Sequence, residues 1–408
     1  MLGRVLNTHQ QWLCRRLADL GIIVTRQVAV TDTAHDIEQV VREALSRADL
    51  VITTGGLGPT SDDLTRDSIA RLLDRPLREN AAVLDQIKQF YTQRKRAMPE
   101  RTRVQALVPE GALVLQNSHG TAPGILVELQ PNPFRPGGRP GWLVMLPGPP
   151  RELRPMFDQH VVPLLRRVFP EQGAFVSRTL RTIGVAESVV EEKIGGPLRE
   201  LIGRGLELGY CASIGQVDVR LAAKGAEAHR VVREAEAIVR AQLGTNIFGE
   251  QDDALEDLIV RLLTAREQTL ALAESCTGGH LANRITNVPG ASAVFLAGIV
   301  TYSNMAKQRL LGIRAETLAE HGAVSEPVAR EMAEGARGRT GADYALSITG
   351  IAGPSGGTPT KPAGTVFLGL ACAKGTVVAQ QFNPYDRETF KQATANQALE
   401  LLRRSLTD

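Results

Sequence analysis

The sequence predicts an α/β protein of more than one domain, and three observations support this. The chain has 408 residues, whereas a single hydrophobic core rarely grows beyond about 250–300 residues. Hydrophobic residues make up 43% and charged residues 22% of the chain, as is ordinary for a globular protein. Short apolar runs alternate with amphipathic segments over much of the sequence, which is typical of sheets covered by helices.

The first 168 residues predict a domain with a parallel sheet. Apolar residues recur at helical spacing in four segments, and four shorter apolar runs have the length of strands. The predicted helices are 8–20, 36–46, 65–73 and 81–96, and the predicted strands are 22–30, 50–54, 124–128 and 141–146. The alternation of helices and strands favours parallel pairing, because parallel strands need a crossover between them.

The rest of the chain predicts a small α+β module at 169–249 and a second α/β domain at 250–408. The module has strands at 177–183 and 218–223 and helices at 186–194 and 226–243. It has no catalytic group of residues, which favours a spacer or an interface domain. In the last domain we expect strands at 269–273, 297–302, 343–348 and 364–371, and helices at 252–266, 304–311, from 326 onward and at 387–402. Ser325 is the expected N-cap of the helix from 326.

Composition excludes several function classes. The 47 basic and 44 acidic residues leave a net charge of +3, so no long-range field favours a nucleic-acid or membrane partner. The four cysteines form no CxxC pair, and the seven histidines have no metal-ligand spacing. No apolar run approaches the ~20 residues of a membrane span. Without a secretory leader at the start of the sequence, these features predict a cytoplasmic protein.

A glycine-rich segment at 55–65 follows a predicted strand and precedes a helix. Its backbone amides could cradle an anion, and Asp62 and Asp63 could hold a divalent cation, which prefers carboxylate oxygens. The same pattern also suits a tight turn whose acidic residues cap the next helix. The residues alone do not separate these two hypotheses.

A second motif, at 273–279, also joins a strand to a helix. Ser275 would project into the crevice at the carboxyl end of the sheet, where open α/β sheets bind ligands. The N–H groups of Thr277, Gly278 and Gly279 would point at an oxyanion or a phosphate. Alternatively, Ser275 is only a helix cap. Cys276 is a rival nucleophile, although it suits a small packed side chain better.

Two further strand-end motifs complete the candidate site. A serine hydroxyl needs a base, and Lys307 could serve if burial lowers its pKa, with Tyr302 as relay or orienting group. A solvated lysine on a helix is the alternative. The segment 347–357, with Thr349 and Gly350, is glycine-rich enough for close approach to a phosphate or ribose, or it is simply a flexible loop.

These motifs together resemble the competence/damage-inducible CinA family over nearly the whole chain. The matching segments are GGLGPTSDDLT at 55–65, GTAPG at 120–124, LPGPPREL at 146–153, ESCTGG at 274–279, TYSNMAKQRLLGI at 301–313 and ITGIAGPSGG at 348–357. The resemblance implies a molybdopterin-binding-like N-terminal domain, a KH-like module and a C-terminal nicotinamide-nucleotide amidohydrolase domain.

For this family the implied reaction is hydrolysis of nicotinamide mononucleotide to nicotinate mononucleotide and ammonia, without a cofactor. Ser275 matches the nucleophile, and Lys307 and Tyr302 match the base and its orienting group. The implied substrate-binding residues are Thr277, Gly278, Gly279, Thr349 and Gly350. We expect a small nucleotide as partner, no nucleic acid and no membrane, and a homo-oligomer.

In some members the N-terminal domain is a metal-dependent ADP-ribose pyrophosphatase. Asp62 and Asp63 of the present sequence match the loop that is implied to hold phosphate and metal in those members. Members usually begin with a strand and a GDELL-like turn before the segment that reads LGRVLNTHQQWL here. The present sequence starts at that segment, so we expect the domain to lack its first strand. A protein that binds nucleotides or pterins without turnover is the other alternative.

Overall fold

A computed structural model of the protein describes residues 7–169 and 175–407 and divides the chain into two units, Met1–Phe175 and Val176–Asp408. Both units combine helices with sheets, and the predicted α/β class is confirmed. Within the described residues, no helix is both long and apolar enough to cross a bilayer.

The first unit has six α-helices and six strands among its described residues. The helices are α1 Thr8–Asp19, α2 Ala34–Arg47, α3 Thr65–Leu72, α4 Ala81–Gln93, α5 Pro150–Met156 and α6 Val162–Val168. The strands are β1 Leu50–Thr54, β2 Leu77–Glu79, β3 Leu107–Pro109, β4 Leu113–Leu115, β5 Gly124–Leu129 and β6 Gly141–Leu146. The helices predicted at 8–20, 36–46, 65–73 and 81–96 are all present.

The main sheet of this unit is mixed rather than parallel, in the order β1-β6-β5-β4. Only β1 and β6 run parallel, because β5 follows β4 and precedes β6 through connections too short for a crossover helix. Gly55 N–H, just after β1, donates to Leu146 O at the end of β6 (2.9 Å). The segments 55–65, 120–124 and 146–153 therefore lie at one edge of this sheet.

The strand predicted at 22–30 is wrong. This segment is extended but belongs to no sheet, and Ile23 and Val28 are exposed. Its alternating apolar residues favour an extended chain, but a strand also needs a backbone partner. None of the described strands pairs with it.

In the second unit, residues 177–249 form a four-stranded sheet in the order β10-β7-β9-β8, with two helices. The strands are β7 Phe175–Ile183, β8 Glu207–Ser213, β9 Gln216–Lys224 and β10 Ile247–Glu250, and the helices are α7 Glu187–Gly203 and α8 Ala228–Leu243. Apolar residues of both helices and of the sheet form one core. Strands β8 and β10 are absent from the sequence prediction.

The rest of the second unit is a five-stranded sheet in the order β12-β11-β13-β14-β15 with helices on both faces. The strands are β11 Leu270–Glu274, β12 Phe295–Val300, β13 Tyr344–Gly350, β14 Thr365–Cys372 and β15 Gly375–Phe382. The helices are α9 Leu255–Ala265, α10 His280–Thr286, α11 Asn304–Ala306, α12 Ala315–His321, α13 Glu326–Thr340 and α14 Arg387–Thr407.

Strand β11, second from the edge of the sheet, creates the crevice of this domain. It runs parallel to β12 on one side and to β13 on the other. Leu270 and Leu272 pack with α9, α10 and α14 on one face, whereas Ala271 and Ala273 pack with α13 on the opposite face. Helix α10, which follows β11, and helix α13, which leads into β13, therefore lie on opposite faces of the sheet, and this reversal opens a ligand crevice at the carboxyl end of β11.

Two local expectations in this domain need correction. The helix predicted at 304–311 has one α-helical turn and then a π-helical turn over Lys307–Leu311. Ser325 does stand at the N-cap of α13, but its hydroxyl donates to Gly322 O (2.9 Å) instead of accepting from the helix. Strand β15 and helix α12 were not expected from the sequence.

Candidate active site

Ser275 lies at the carboxyl edge of the C-terminal sheet, directly after β11. Its N–H donates to Ile348 O in β13 (3.0 Å), and Thr301 N–H, just after β12, donates to Glu274 O (2.8 Å). The backbone thus continues to pair for one residue beyond the strands. This pairing brings the motifs at 274–279, 301–313 and 348–357 to one place.

The Lys307 amine contacts the Ser275 hydroxyl. The distance from Lys307 Nζ to Ser275 Oγ is 2.9 Å, and Nζ also donates to Thr301 O at 2.8 Å. Lys307 is only 1% exposed although it is a lysine, and Ser275 is buried as well. The structure therefore brings together the predicted nucleophile and the predicted base.

Burial lowers the pKa of Lys307 below its ordinary value of 10.5, against a smaller opposite effect of the Cys276 thiol. Desolvation disfavours the charged ammonium, and among the described residues no carboxylate adds a compensating charge. A larger fraction of the amine is therefore neutral near physiological pH, and a neutral amine has the lone pair that a general base requires.

Cys276 does not compete for the role of nucleophile. Its side chain is buried, and burial raises the pKa of the thiol to about 12. The reactive species of cysteine is the thiolate, which this environment suppresses. Cys276 is thus a packed side chain.

The structure does not place the Tyr302 hydroxyl on the serine–lysine pair. Tyr302 is 65% exposed, and its hydroxyl accepts from Arg387 Nη2 (2.7 Å). Arg387 Nη1 also donates to Gly353 O (3.0 Å), so this arginine joins the segment after β12 to the segment after β13. Sequence reasoning missed Arg387, because its only local signal is a cation at the start of a helix.

Glu274 is a second residue that sequence reasoning missed. Its carboxylate is 1% exposed and accepts from the N–H groups of Gly279 (3.0 Å), Leu281 (3.2 Å) and Ala282 (2.8 Å). These are the amides that open α10, where a helix attracts negative charge. A glutamate at the end of a strand, just before a glycine turn and a helix, is the signal that could have identified this cap.

The expectation that the N–H groups of Thr277, Gly278 and Gly279 all point at an oxyanion or a phosphate is wrong. Gly279 N–H is bound to Glu274, and Gly278 N–H donates to Ser275 O (3.1 Å). Thr277 N–H is the remaining donor of the three, and within the described residues it has no hydrogen-bond partner. The Thr277 hydroxyl is likewise buried without a partner.

The two glycines of the turn have backbone conformations that other residues rarely adopt. Gly278 has φ +63° and Gly279 φ +93°, in the left-handed region that favours glycine. Thr349 is buried, and its hydroxyl donates to Ala323 O (2.7 Å). At Gly350 a Cβ would lie 2.8 Å from Thr365 O. Tight packing thus accounts for Thr349 and Gly350, and their part in substrate binding stays a prediction.

In the N-terminal unit, Asp62 and Asp63 lie on the 55–65 turn. Asp63 Oδ2 accepts from Thr60 N (2.9 Å) and Thr60 Oγ1 (2.5 Å). The Thr60 hydroxyl also holds the pKa of the exposed Asp62 carboxyl below its ordinary value. Among the described residues, no three histidines, cysteines or acids form a metal-binding group. The part of Asp62 and Asp63 in holding a metal ion stays a prediction.

Comparison with known families matches three parts of the chain. Residues 1–167 match the family described as "Probable molybdopterin binding domain", residues 177–249 the "Damage-inducible protein CinA KH domain", and residues 252–406 the "CinA C-terminal domain". The Ser275 and Lys307 pair falls within the last match.

Similar proteins extend over the whole chain. A competence-damage inducible protein of Symbiobacterium thermophilum is 43% identical over all of this chain and 96% of its own length. A CinA-like protein of Gemmatimonas aurantiaca is 42% identical, covering 99% of this chain and 94% of that protein.

Solved structures match a smaller part. The competence/damage inducible protein CihA of Agrobacterium tumefaciens is 38% identical and covers 38% of this chain and 98% of its own, with a TM-score of 0.36. A CinA superfamily protein of Escherichia coli is 35% identical over 40% of this chain and 98% of that chain, with a TM-score of 0.36. From the full-length relatives and the three matched domains, the chain belongs to the CinA family.

Proposed function

We propose that the C-terminal domain hydrolyses a carboxamide, with nicotinamide mononucleotide as substrate and nicotinate mononucleotide and ammonia as products. The observation that supports this most is the 2.9 Å contact between Ser275 Oγ and the buried Lys307 Nζ. A serine hydroxyl becomes a competent nucleophile when a neighbouring base takes its proton, and a desolvated lysine is such a base.

In the active state the hydrogen bond between the two residues runs from serine to lysine. A neutral amine keeps two N–H groups, one of which donates to Thr301 O (2.8 Å). With this bond kept, the lone pair of Nζ is free to face the Ser275 hydroxyl. Serine then donates to Nζ, which is the arrangement that proton removal requires.

The reaction divides into two halves. Ser275 Oγ attacks the carboxamide carbon while Lys307 Nζ takes the hydroxyl proton, and the protonated amine then donates this proton to the departing ammonia. Water next attacks the resulting ester with the neutral amine as base, which releases the acid and restores the serine. Thr277 N–H is the turn amide left to stabilise the oxyanion, at roughly 3–4 kcal/mol per donor.

The nucleotide as substrate follows from the family resemblance, and one structural feature agrees with it. Arg387 is an exposed cation held by Tyr302 and Gly353. A guanidinium suits an anionic substrate because it can donate several hydrogen bonds to phosphate oxygens. Tyr302 on this proposal orients Arg387 and does not relay protons.

The test is ammonia release from nicotinamide mononucleotide by the full-length protein. Ser275→Ala should abolish turnover, whereas Cys276→Ala should retain it. Ser347→Ala is the matched control, because Ser347 is another buried serine of the same sheet whose hydroxyl only donates to Ala329 O. Full turnover by Ser275→Ala would refute the assignment.

The family resemblance also proposes a second candidate, a metal-dependent pyrophosphatase in the N-terminal unit, and one observation favours a ligand there. Arg66, which follows the 55–65 turn, is buried, and its Nε has no partner among the described residues. The test is cleavage of ADP-ribose by the full-length protein. Cleavage would establish this activity if it requires a divalent cation and is lost in Asp62→Asn or Asp63→Asn but not in Ser275→Ala. The absence of cleavage at any tested cation would exclude it.

A further inference from the structure

The C-terminal helix α14 contacts both the catalytic domain and the KH-like module at residues 177–249. Four of its polar residues are buried, namely Thr394, Asn396, Glu400 and Arg403. Arg403 Nη2 donates to Thr245 O in the module (2.7 Å), and its other contacts are to Glu400 on the same helix. Polar groups so deeply buried need hydrogen-bond partners, and for Arg403 one of these is in the module.

Asn396 differs from Arg403 because it bonds to a second element of the catalytic domain. Its Nδ2 donates to Ile214 O (2.7 Å) in the two-residue turn between β8 and β9 of the module. Its Oδ1 accepts from Arg284 Nη1 (2.8 Å) on α10. One amide group therefore links the module to the helix that begins just behind the Ser275 turn.

Arg284 is held firmly at this position. Its Nη2 and Nε donate to the two carboxylate oxygens of Glu256 on α9 (2.6 and 3.3 Å), and both side chains are largely buried. Although burial alone would raise the pKa of Glu256, the Arg284 guanidinium keeps it below the ordinary value. Two-point guanidinium–carboxylate pairs fix geometry as well as charge.

Helix α10 is thus fixed at both ends. Glu274 binds its first amides, and Arg284 anchors its second half to Asn396 and Glu256. The turn that carries Ser275 lies between β11 and this helix, so a rotation or shift of α10 displaces the hydroxyl relative to Lys307 Nζ. A misplacement of ~1 Å at a reacting group can cost about 100-fold in rate.

We infer that Asn396 is a positioning residue through which the KH-like module fixes α10 and so keeps the Ser275 hydroxyl at the Lys307 amine. The inference rests on the proposed function, because it assigns a task to Asn396 only if Ser275 reacts. It also gives the module a task in catalysis without a ligand of its own.

The experiment compares Asn396→Asp, Asn396→Ala and Arg403→Met in the full-length protein. Asn396→Asp keeps the oxygen that accepts from Arg284 but loses the N–H group that donates to Ile214 O, so it breaks the link to the module and keeps the link to α10; Asn396→Ala breaks both without adding a charge. Arg403→Met removes the other described side-chain bond from α14 to the module without touching α10. Each variant is measured for melting temperature, kcat and KM.

We expect both Asn396 variants to lower kcat about tenfold, since even a sub-ångström displacement of a reacting group slows the step, and to leave KM within about twofold. Arg403→Met should lower the melting temperature at least as much while keeping kcat. Equal kcat losses in Arg403→Met and the Asn396 variants, or no loss in Asn396→Asp, would overturn the inference.

A second readout does not depend on the substrate. A fluorophosphonate probe labels an activated serine, and its rate of reaction with Ser275 should fall in Asn396→Asp as kcat does. If the wild type is labelled and Asn396→Asp is labelled at the same rate, the inference is refuted but the proposed function is not. If Ser275 of the wild type is not labelled and no ammonia is released, the proposed function and the inference fail together.

Discussion

Replacement of Lys307 by methionine tests the chemistry of the site most directly. Methionine has a similar length and suits a buried position, so the fold should persist, but Ser275 Oγ and Thr301 O both lose the Nζ partner at 2.9 and 2.8 Å. A positioned general base contributes about 10²–10⁴-fold to the rate. We expect kcat/KM to fall by roughly 10³-fold, equivalent to ~4 kcal/mol of transition-state stabilisation.

The pH dependence of Lys307→Met makes the test specific. In the wild type, kcat/KM should rise with pH as Lys307 loses its proton, with a midpoint below 10.5, because burial lowers the pKa of this amine. The methionine variant should lack this rise. Ammonia release measured from pH 6 to about pH 10 in both proteins decides the matter. A variant that keeps the wild-type pH profile would refute the role of Lys307 as base.

Stability should change with pH in the same comparison. The folded protein holds the proton of Lys307 less tightly than the unfolded chain does, so between the lowered pKa and 10.5 the unfolded state binds more protons. Stability therefore rises with pH through this window in the wild type. Because methionine does not titrate, the melting temperature of the wild type should rise relative to that of the variant as pH rises through this window. A difference that is constant with pH would contradict the lowered pKa of the buried lysine.

Four further substitutions have distinct expected outcomes. Glu274→Gln should cost about 1–3 kcal/mol of stability, since three buried amides lose a carboxylate acceptor, and it should lower kcat. Chemical denaturation measures the stability and ammonia release measures kcat. An unchanged denaturation midpoint would contradict the cap. Gly279→Ala should destabilise the protein by ~1 kcal/mol or more because of its positive φ, as a lower thermal midpoint would show. Tyr302→Phe should raise KM and leave the pH profile of kcat/KM unchanged, since its hydroxyl binds Arg387; a changed profile would restore it as a proton relay. Cys276→Ala should keep kcat, and the wild-type thiol should resist iodoacetamide below about pH 9.

The position of the site could be predicted from the sequence. Three motifs each follow a strand, and parallel strands place their carboxyl ends at one edge of a sheet. The order of strands and motifs alone predicts that Ser275 and Lys307 share one crevice. This prediction holds because it needs only the order of strands and turns along the chain.

Contacts between distant segments could not be predicted in this way. That the Tyr302 hydroxyl binds Arg387, 85 residues later in the chain, depends on how α14 packs. The prediction of a strand at 22–30 is wrong for the same reason, since the alternation of apolar residues indicates an extended chain but not its hydrogen-bonding partner. The cap made by Glu274 is an intermediate case, because the sequence contains its signal but also permits a free helix start that could bind an anion.

The carboxylate at the start of α10 has a consequence for how a phosphorylated nucleoside can enter. A helix start is ordinarily an attractive place for phosphate, yet here Glu274 already fills it with a fixed negative charge. On the proposed function, this charge disfavours phosphate in the interior, so we expect a nucleotide substrate to bind with its uncharged carboxamide inward and its phosphate outward. Inorganic phosphate, by the same reasoning, should be a poor competitor at the bottom of the crevice.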